Sequence, residues 1–423
     1  MRLEELIKKN KEVTYYTINN VQEESFQLFF VHKNLETIRN SKTSDLKATV
    51  YVLHDGLLGD SEFTVYKSND EKEIIEKINQ AVNKAKLINN EAYTLPEKEI
   101  VKYPDKSNFK DYTQEELANL TQEAVFKALD LADGAINALE IFITKHTVSV
   151  INSNGLNKEE IRYDAMIEAI PTWNGERESV ELYCQYHFNE FNSEKITEVI
   201  KDYLEQVKAR YNAVKVEKLE NINILLRPKE FLEVIDELAY DLTYANVYTH
   251  SNRTSIGTKL QDNPNGSLLT VLAKGSIKGS VDSKSFDRDG TTLKDKVIIE
   301  DGVVVGYFGV RQHAEYLKME PTGNLGCFSV KEGKMTENEM KEEPYLEIVS
   351  MSGIQVNAFQ DYIGGEIRLA YYFDGKKITP VTSLSISGSL NNALNNLYLC
   401  NKVTQEDNYL GPKLALIKNL KIS

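Results

Sequence analysis

Residues that support disulfide, metal or membrane chemistry are scarce in this sequence of 423 residues, which has three cysteines, six histidines and one tryptophan. Three widely spaced cysteines cannot form a disulfide framework, and this excludes the small disulfide-rich folds. No apolar run approaches the roughly 20 residues that a membrane-spanning helix needs. The N-terminal stretch MRLEELIKKN also lacks the apolar core of a signal peptide. We therefore expect a cytoplasmic protein that does not bind membranes.

An excess of positive charge is also missing. The chain has 50 lysines and arginines against 64 aspartates and glutamates, a formal net charge of −14. A protein that binds the phosphate backbone of a nucleic acid needs a basic face, so we do not expect direct nucleic-acid binding. The hydrophobic content of 41% is ordinary for a globular protein, and the length suffices for two domains with separate cores.

The first half of the chain alternates between helical and strand patterns. Apolar spacing predicts helices that begin at two capping boxes, one formed by Ser68 and Glu71 and the other by Thr113 and Glu116. Separate strands are predicted at residues 13–18, 25–32, 35–41 and 46–52. We therefore predict an N-terminal α+β domain over residues 1–215, an α/β sandwich-like unit with a mixed sheet and helices.

The second half is predicted to be rich in β-structure. Pro228 stands at a predicted first helical position, and the apolar helical stripe after it runs to Leu242. Beyond Tyr248 the pattern changes to short strands separated by glycine-marked turns. We predict a β-rich C-terminal domain over residues 216–423, with the boundary near residues 212–221. The whole chain is then of the α+β class.

A hairpin within residues 297–305 is the clearest local signal. Two runs of β-branched residues flank Asp301 and Gly302, and a two-residue Asp-Gly loop is typical of a type I′ turn. This register places Ile299 opposite Val304 and makes both faces of the hairpin apolar. We therefore expect the hairpin to be buried on both sides, with Gly302 at positive φ.

Two short polar segments flank the hairpin. Upstream, Asp287 and Asp289 belong to an Asp-x-Asp-Gly turn, and downstream Thr322, Gly323 and Asn324 form a Thr-Gly-Asn loop. The acidic pair lacks the remaining ligands of a calcium loop, which favours turn capping over calcium binding. In this order, the two segments and the hairpin resemble the TldD/PmbA family of bacterial and archaeal peptidases. The stretches DGKKITPVTSLSISGSL and INSNGL also resemble family segments.

The resemblance implies a peptidase built from paired subunits. Catalytic members carry His-Glu-x-x-x-His on a helix at the start of the second domain, where the two histidines hold zinc. The corresponding helix, residues 228–242, has no histidine, and none of the six histidines has a partner at ligand spacing. The chain therefore resembles the PmbA (TldE) branch. We expect no catalytic residue, metal or cofactor in this chain, and zinc only in a catalytic paralogue.

The resemblance also implies the binding partners. We expect a TldD-like paralogue or, in its absence, a homodimer that forms through the C-terminal domain, and peptides or unfolded segments as substrates. The candidate residues of the peptide groove are the polar loop residues Asp287, Asp289, Thr322, Gly323 and Asn324. Two alternatives remain open. One is a binding or regulatory protein without a peptidase role, as in the family's older label, modulator of DNA gyrase. The other is a homodimeric hydrolase that uses other residues.

Other candidate chemistry has weaker support. Cys400 is a weak candidate for a residual zinc ligand, but free cysteines usually behave as buried, inert hydrophobes. Cys184 and His187 lie three apart on a predicted strand and so face opposite sides, which argues against a catalytic pair. Carboxylates on the helix at residues 228–242 favour a solvated face over a metal site. They are Glu230, Glu233, Asp236, Glu237 and Asp241.

Overall fold

The computed structural model describes residues 2–216, 219 and 222–423, without the side chain of Leu131. Its α-helices are α1 (Arg2–Lys9), α2 (Glu71–Ala85), α3 (Gln114–Leu131), α4 (Ser193–Asn212), α5 (Pro228–Asp241), α6 (Tyr244–Tyr248), α7 (Arg311–Tyr316), α8 (Glu337–Met340) and α9 (Leu390–Asn395). None of the described helices is long and apolar enough to cross a membrane.

The strands up to residue 188 form one sheet. They are β1 (Tyr15–Val31), β2 (Asn34–His54), β3 (Leu57–Val65), β4 (Asn90–Glu91), β5 (Ile100–Tyr103), β6 (Ala135–Asn152), β7 (Asn157–Trp173), β8 (Val180–Glu181) and β9 (Cys184–Phe188). Their order is β4-β3-β2-β1-β6-β7-β5, with β8 and β9 also paired to β7. Helices α1 and α2 pack on one part of this sheet, and α3 and α4 on another, so each helix pair has its own apolar core.

The predicted strands in this region are shorter than the real ones. Residues 13–18 and 25–32 were predicted as separate strands, but β1 is continuous over 17 residues, and β2 likewise joins two predicted strands over 21 residues. The polar residues in the middle of β1 pair with β2 on one side and β6 on the other. Backbone pairing on both edges thus carries the strand across a stretch that has no apolar signal.

One of the two predicted capping boxes is confirmed. Thr113 caps α3, with its hydroxyl accepting from the Glu116 N–H at 3.2 Å and the Glu116 carboxylate accepting from the Thr113 N–H. The box predicted at Ser68 is wrong, because Asp70 caps α2 together with Glu73. Aspartate accepts from the first-turn N–H groups and also suits the positive end of the helix dipole, which explains the later start.

The strands after residue 213 form two further sheets. They are β10 (Val214–Lys215), β11 (Asn223–Leu226), β12 (Val271–Lys274), β13 (Lys296–Glu300), β14 (Val303–Val304), β15 (Cys327–Val330), β16 (Tyr345–Asn357), β17 (Tyr362–Phe373), β18 (Ile378–Thr382), β19 (Leu384–Gly388), β20 (Leu397–Leu399), β21 (Val403–Glu406), β22 (Tyr409–Pro412), β23 (Ala415–Ile417) and β24 (Lys421–Ile422). One sheet runs β10-β18-β17-β16-β11-β23-β20, with β19 and β24 attached, and the other runs β14-β13-β12-β15-β22-β21. Helix α5 lies in the apolar core that the two sheets share.

This arrangement confirms the α+β class, with a mixed first half and a β-rich second half. The exact division into domains 1–215 and 216–423 stays a prediction. The predicted boundary region includes residues 217, 218, 220 and 221, which lie outside the described residues.

The central hairpin is confirmed. Strands β13 and β14 pair Ile299 with Val304, and Asp301 and Gly302 have φ of 45° and 78°, as a type I′ turn requires. Ile298, Ile299 and Val304 are fully buried. Because Ile298 and Ile299 point to opposite faces of β13, the hairpin is covered on both sides.

Hydrogen bonds join the first half of the chain to the loop that precedes β13 and to α7. The buried Glu160 of β7 accepts a hydrogen bond from the Ser285 N–H at 2.9 Å. Glu315 of α7 accepts from the N–H of Thr94 at 2.8 Å and from its hydroxyl at 2.6 Å. The bond to Ser285 anchors the chain two residues before Asp287, the first residue of the predicted acidic turn.

Candidate functional site

The two predicted polar segments meet in the folded chain. Asp287 is only 8% exposed, and its Oδ1 accepts hydrogen bonds from the N–H groups of Asp289 at 3.1 Å and Thr291 at 3.0 Å. Its Oδ2 accepts from the N–H of Asn324 at 3.2 Å. The carboxylate therefore braces its own turn and ties that turn to the Thr-Gly-Asn loop, which fits the predicted turn capping.

Burial raises the pKa of Asp287 to about 6, and the negative charge of Asp289 contributes in the same direction. Burial also raises the pKa of Asp289, while Arg288 and Arg311 act to lower it. Burial therefore disfavours the charged form of both carboxyls, and three N–H donors help to keep Asp287 charged at neutral pH.

In the Thr-Gly-Asn loop, two residues support the backbone and one faces solvent. Thr322 is buried, and its hydroxyl accepts from the Gly309 N–H at 2.9 Å. Gly323 has a φ of 74°, and a Cβ there would lie 2.4 Å from a side-chain carbon of Leu293. Asn324 alone of the three has an exposed side chain. It is the residue of this loop that can contact a ligand.

Asn324 stands at a groove of about 800 Å³ between α5 and β16. The residues of α5 that line the groove are Glu233, Asp236, Glu237 and Tyr240. Its other lining residues are Thr243, Phe308, Asn324, Leu325, Phe328, Ile354, Gln355, Val356, Asn357, Gln360 and Tyr362. The groove thus has one acidic helical wall, an apolar floor of aromatic and aliphatic side chains, and one strand along its length.

One carboxyl group of the acidic wall has a raised pKa. Partial removal from water raises the pKa of Asp236 to about 6, with Glu233 and Asp282 adding like charge. The sequence shows these carboxylates on one face of the helix, a face interpreted as solvated. Their position beside a groove was missed because it depends on β16, more than 100 residues further along the chain.

The strand that lines the groove has a free edge. On one side β16 pairs with β17 along most of its length, but on the other side β11 pairs only with residues 345–348. Among the described residues, no strand pairs with that side of residues 351–357, and residues 354–357 line the groove. Unpaired N–H and C=O groups on a strand edge can accept an added extended chain.

Asn324 also lines a second cavity, of about 320 Å³. It is bounded by the N-terminal sheet and the acidic turn, and its charges are mixed. The basic lining residues are Lys47, Arg162, Lys284 and Arg288, and the acidic ones are Asp45, Glu160 and Asp287. Asn324 therefore contributes to both the acidic groove and a cavity of mixed charge.

The described residues do not offer a zinc site. No three of their histidine, cysteine, aspartate and glutamate side chains are grouped so as to hold a metal ion. Cys400 is fully buried in an apolar cluster with Leu225, Met340 and Leu416. Its sulfur accepts from the Lys402 N–H at 3.4 Å, so its surroundings are those of an inert core thiol.

The structure also contains one histidine site that the sequence did not indicate. His146 lies between two carboxylates, with Nε2 2.6 Å from Asp164 and Nδ1 3.2 Å from Glu23. The three residues are on neighbouring strands and are far apart in sequence, so no local pattern could reveal them. They lie on the N-terminal sheet and do not line the acidic groove.

Fold and groove together define an α+β protein with an acidic groove of about 800 Å³ and, in its described part, no ligand set for zinc. Residues 220–423 match the family described as the PmbA/TldA metallopeptidase C-terminal domain. An uncharacterized protein of Methanocaldococcus jannaschii is 24% identical over 63% of this chain and 64% of its own length. A metalloprotease PmbA homolog of Buchnera aphidicola is 24% identical over 44% of this chain and 42% of its own. The chain thus spans less than two thirds of these relatives.

Solved structures show the same fold along the whole chain. TldE from Thermococcus kodakarensis superposes with a TM-score of 0.81 at 15% identity and covers 100% of both chains. A protein of Thermotoga maritima, described as a candidate modulator of a DNA gyrase, gives 0.79 at 16% identity and covers 100% of this chain and 98% of its own. Residues 220–423 thus match the C-terminal domain of the PmbA/TldA metallopeptidases, and the whole chain shares the fold of these solved structures.

Proposed function

We propose that this chain is the peptide-binding, non-catalytic subunit of a cytoplasmic TldD/PmbA-type peptidase. In this proposal it belongs to the PmbA (TldE) branch and works with a zinc-bearing paralogue. The observation that carries the proposal is the wall of the groove. Where catalytic members are expected to present two histidines, α5 presents Glu233, Asp236 and Glu237. Carboxylates alone, without imidazole or thiolate ligands, are a poor set for zinc.

The groove suits an extended peptide. A peptide strand laid along residues 351–357 would pair with the free backbone edge of β16 without regard to its sequence. Phe308 and Phe328 offer apolar contact, while the carboxylates of α5 favour substrates with lysine or arginine side chains. We therefore expect unfolded, basic segments to bind better than acidic ones.

Hydrolysis requires an activated water, and this chain is not expected to supply one. The catalytic members activate water with zinc and a glutamate on the same helix. In the proposed pair, this chain holds the peptide and the paralogue supplies the metal. The alternative, a regulatory protein of the gyrase-modulator type, shares the groove but predicts no gain of cleavage with a paralogue.

A charge reversal on the groove wall tests the binding role. Glu233→Lys places positive charge in the groove, and we expect the Kd for a fluorescent lysine-containing peptide to rise by roughly five-fold, about 1 kcal/mol. The matched control is Glu76→Lys, because Glu76 is also an exposed glutamate in the middle of a helix but lies far from the groove. Equal peptide affinity for the two variants would remove the groove from the proposed function.

A further inference from the structure

A long stretch of β2 has an open edge. β1 pairs with β2 from Asn34 onward, whereas the pairing of β3 with β2 begins only at Leu46. Among the described residues, no strand pairs with the outer side of residues 34–45. That is a dozen residues without a proline, an edge far longer than soluble proteins usually leave uncovered.

Both faces of the sheet are also exposed to solvent along this stretch. Nearly every residue from 34 to 45 is exposed, including those that point to either side of the sheet. Two of them are large and apolar, since Leu35 is 48% exposed and Ile38 is 53% exposed. Together with the open edge, exposed leucine and isoleucine on a strand indicate a surface that another strand covers.

The charges along this edge are complementary to themselves. An antiparallel pairing of two copies centred on Arg39 places Glu36 opposite Lys42. Within one chain the exposed Lys42 ammonium pairs with Glu24 of β1, so in the pairing it would lie between two carboxylates. Twofold symmetry makes the pair of Glu36 and Lys42 occur twice, giving two opposite-charge pairs. A register shifted by one residue in either direction places none of these charges opposite each other.

In this register the Arg39 residues of the two copies would lie opposite each other, but each guanidinium is turned toward β1 of its own chain. The guanidinium lies over the Phe29 ring, 5.0 Å from its centre, and its Nε donates to Oε1 of Gln27. Both partners belong to β1 of the same chain. The positive charge is thus held over its own sheet, which reduces repulsion between the two arginines.

We propose that a second copy of this chain pairs antiparallel along residues 34–45, in the register centred on Arg39, and joins the two N-terminal sheets into one. This contact does not depend on the peptide groove. It also differs from the C-terminal contact that the sequence alone suggested for a homodimer. The occupant is a second copy because the edge is complementary to itself.

Disulfide cross-linking tests both the contact and its register. In the proposed pairing, two residues at position 39 face each other with Cα atoms about 4.5–5.5 Å apart, within disulfide reach. Arg39→Cys is therefore expected to cross-link into a covalent dimer under mild oxidation. Ser41→Cys is the control, because two residues at position 41 would lie four residues, roughly 13 Å, apart along the strands. The natural cysteines are all buried and do not interfere.

Sedimentation of charge variants gives a second measurement. Glu36→Lys places like charges opposite each other, and we expect the dimer dissociation constant to rise at least five-fold, with recovery in the double variant Glu36→Lys, Lys42→Glu. A monomer at micromolar concentration overturns the proposal. So does equal cross-linking of the two cysteine variants, or a dimer in which Arg39→Cys does not cross-link, which would assign the contact to another face.

Discussion

Substitutions of Gly302 in the central hairpin test two separate causes of lost stability, backbone strain and steric overlap with a neighbouring side chain. Its φ of 78° is unfavourable for any residue with a Cβ. A Cβ at this position would also lie 2.8 Å from Oε1 of Gln261. Gln261 is buried, and its carboxamide accepts from the Leu269 N–H at 2.7 Å and donates to the carbonyl of Leu394 at 2.7 Å. A side chain at 302 therefore disturbs a buried hydrogen-bonding group.

The expected cost follows from these two effects. Left-handed backbone costs about 1–2 kcal/mol for an alanine, and an unsatisfied buried polar group costs about 1–3 kcal/mol. Gly302→Ala should therefore lose about 2–5 kcal/mol of stability, and Gly302→Val somewhat more because of its branched Cβ. Gly257→Ala is the matched control, since Gly257 has a φ of 93° but open space around its Cβ position. It should lose only the 1–2 kcal/mol of strain.

Thermal unfolding followed by circular dichroism compares the three variants with the parent chain. The melting temperature should fall least for Gly257→Ala, further for Gly302→Ala and furthest for Gly302→Val. Equal melting temperatures for the two alanine variants would refute the proposed overlap with Gln261. An unchanged melting temperature for Gly302→Val would mean that the turn itself is wrongly assigned.

Two further predictions concern single polar side chains. Asn324→Ala should leave the melting temperature nearly unchanged, because the side chain is exposed, but should weaken peptide cleavage by the reconstituted pair; an unaltered rate would remove Asn324 from the site. Burial raises the pKa of Glu230 to about 7, so at pH 8 the folded chain carries a buried charge that the unfolded chain exposes to water. Glu230→Gln should therefore stabilise the protein by on the order of 1–3 kcal/mol at pH 8. At pH 4 it should have almost no effect, because this pH lies below the pKa of Glu230 in both the folded and the unfolded chain. Equal denaturant midpoints for the variant and the parent chain at pH 8 would contradict this.

Local chemistry made several elements predictable. The Asp301-Gly302 pair between β-branched runs determines the hairpin, and Pro228 with the apolar stripe behind it determines α5. The hydrogen bond between Asp287 and Asn324 was not predicted, because 37 residues separate them and no periodicity relates them. Both residues were candidates from the family resemblance, but their contact is a finding of the structure.

The groove could not be predicted, for a physical reason. The carboxylates of α5 look the same in sequence whether they face water or a cleft, and only tertiary packing places β16 across from them. The free edges of β2 and β16 depend on where a neighbouring strand stops, which is set by the partner strand and not by the edge itself. Such features follow from topology and have no local signature.

Cleavage of a lysine-containing peptide, measured together with zinc content, tests the central claim most directly. The assay compares this chain alone, a zinc-bearing paralogue alone, and the two mixed. We predict that this chain alone neither cleaves nor carries stoichiometric zinc, that the mixture cleaves faster than the paralogue alone, and that Glu233→Lys reduces the gain while Glu76→Lys does not. Cleavage by this chain alone with about one tightly bound zinc per chain, or a mixture no faster than the paralogue, would contradict the account.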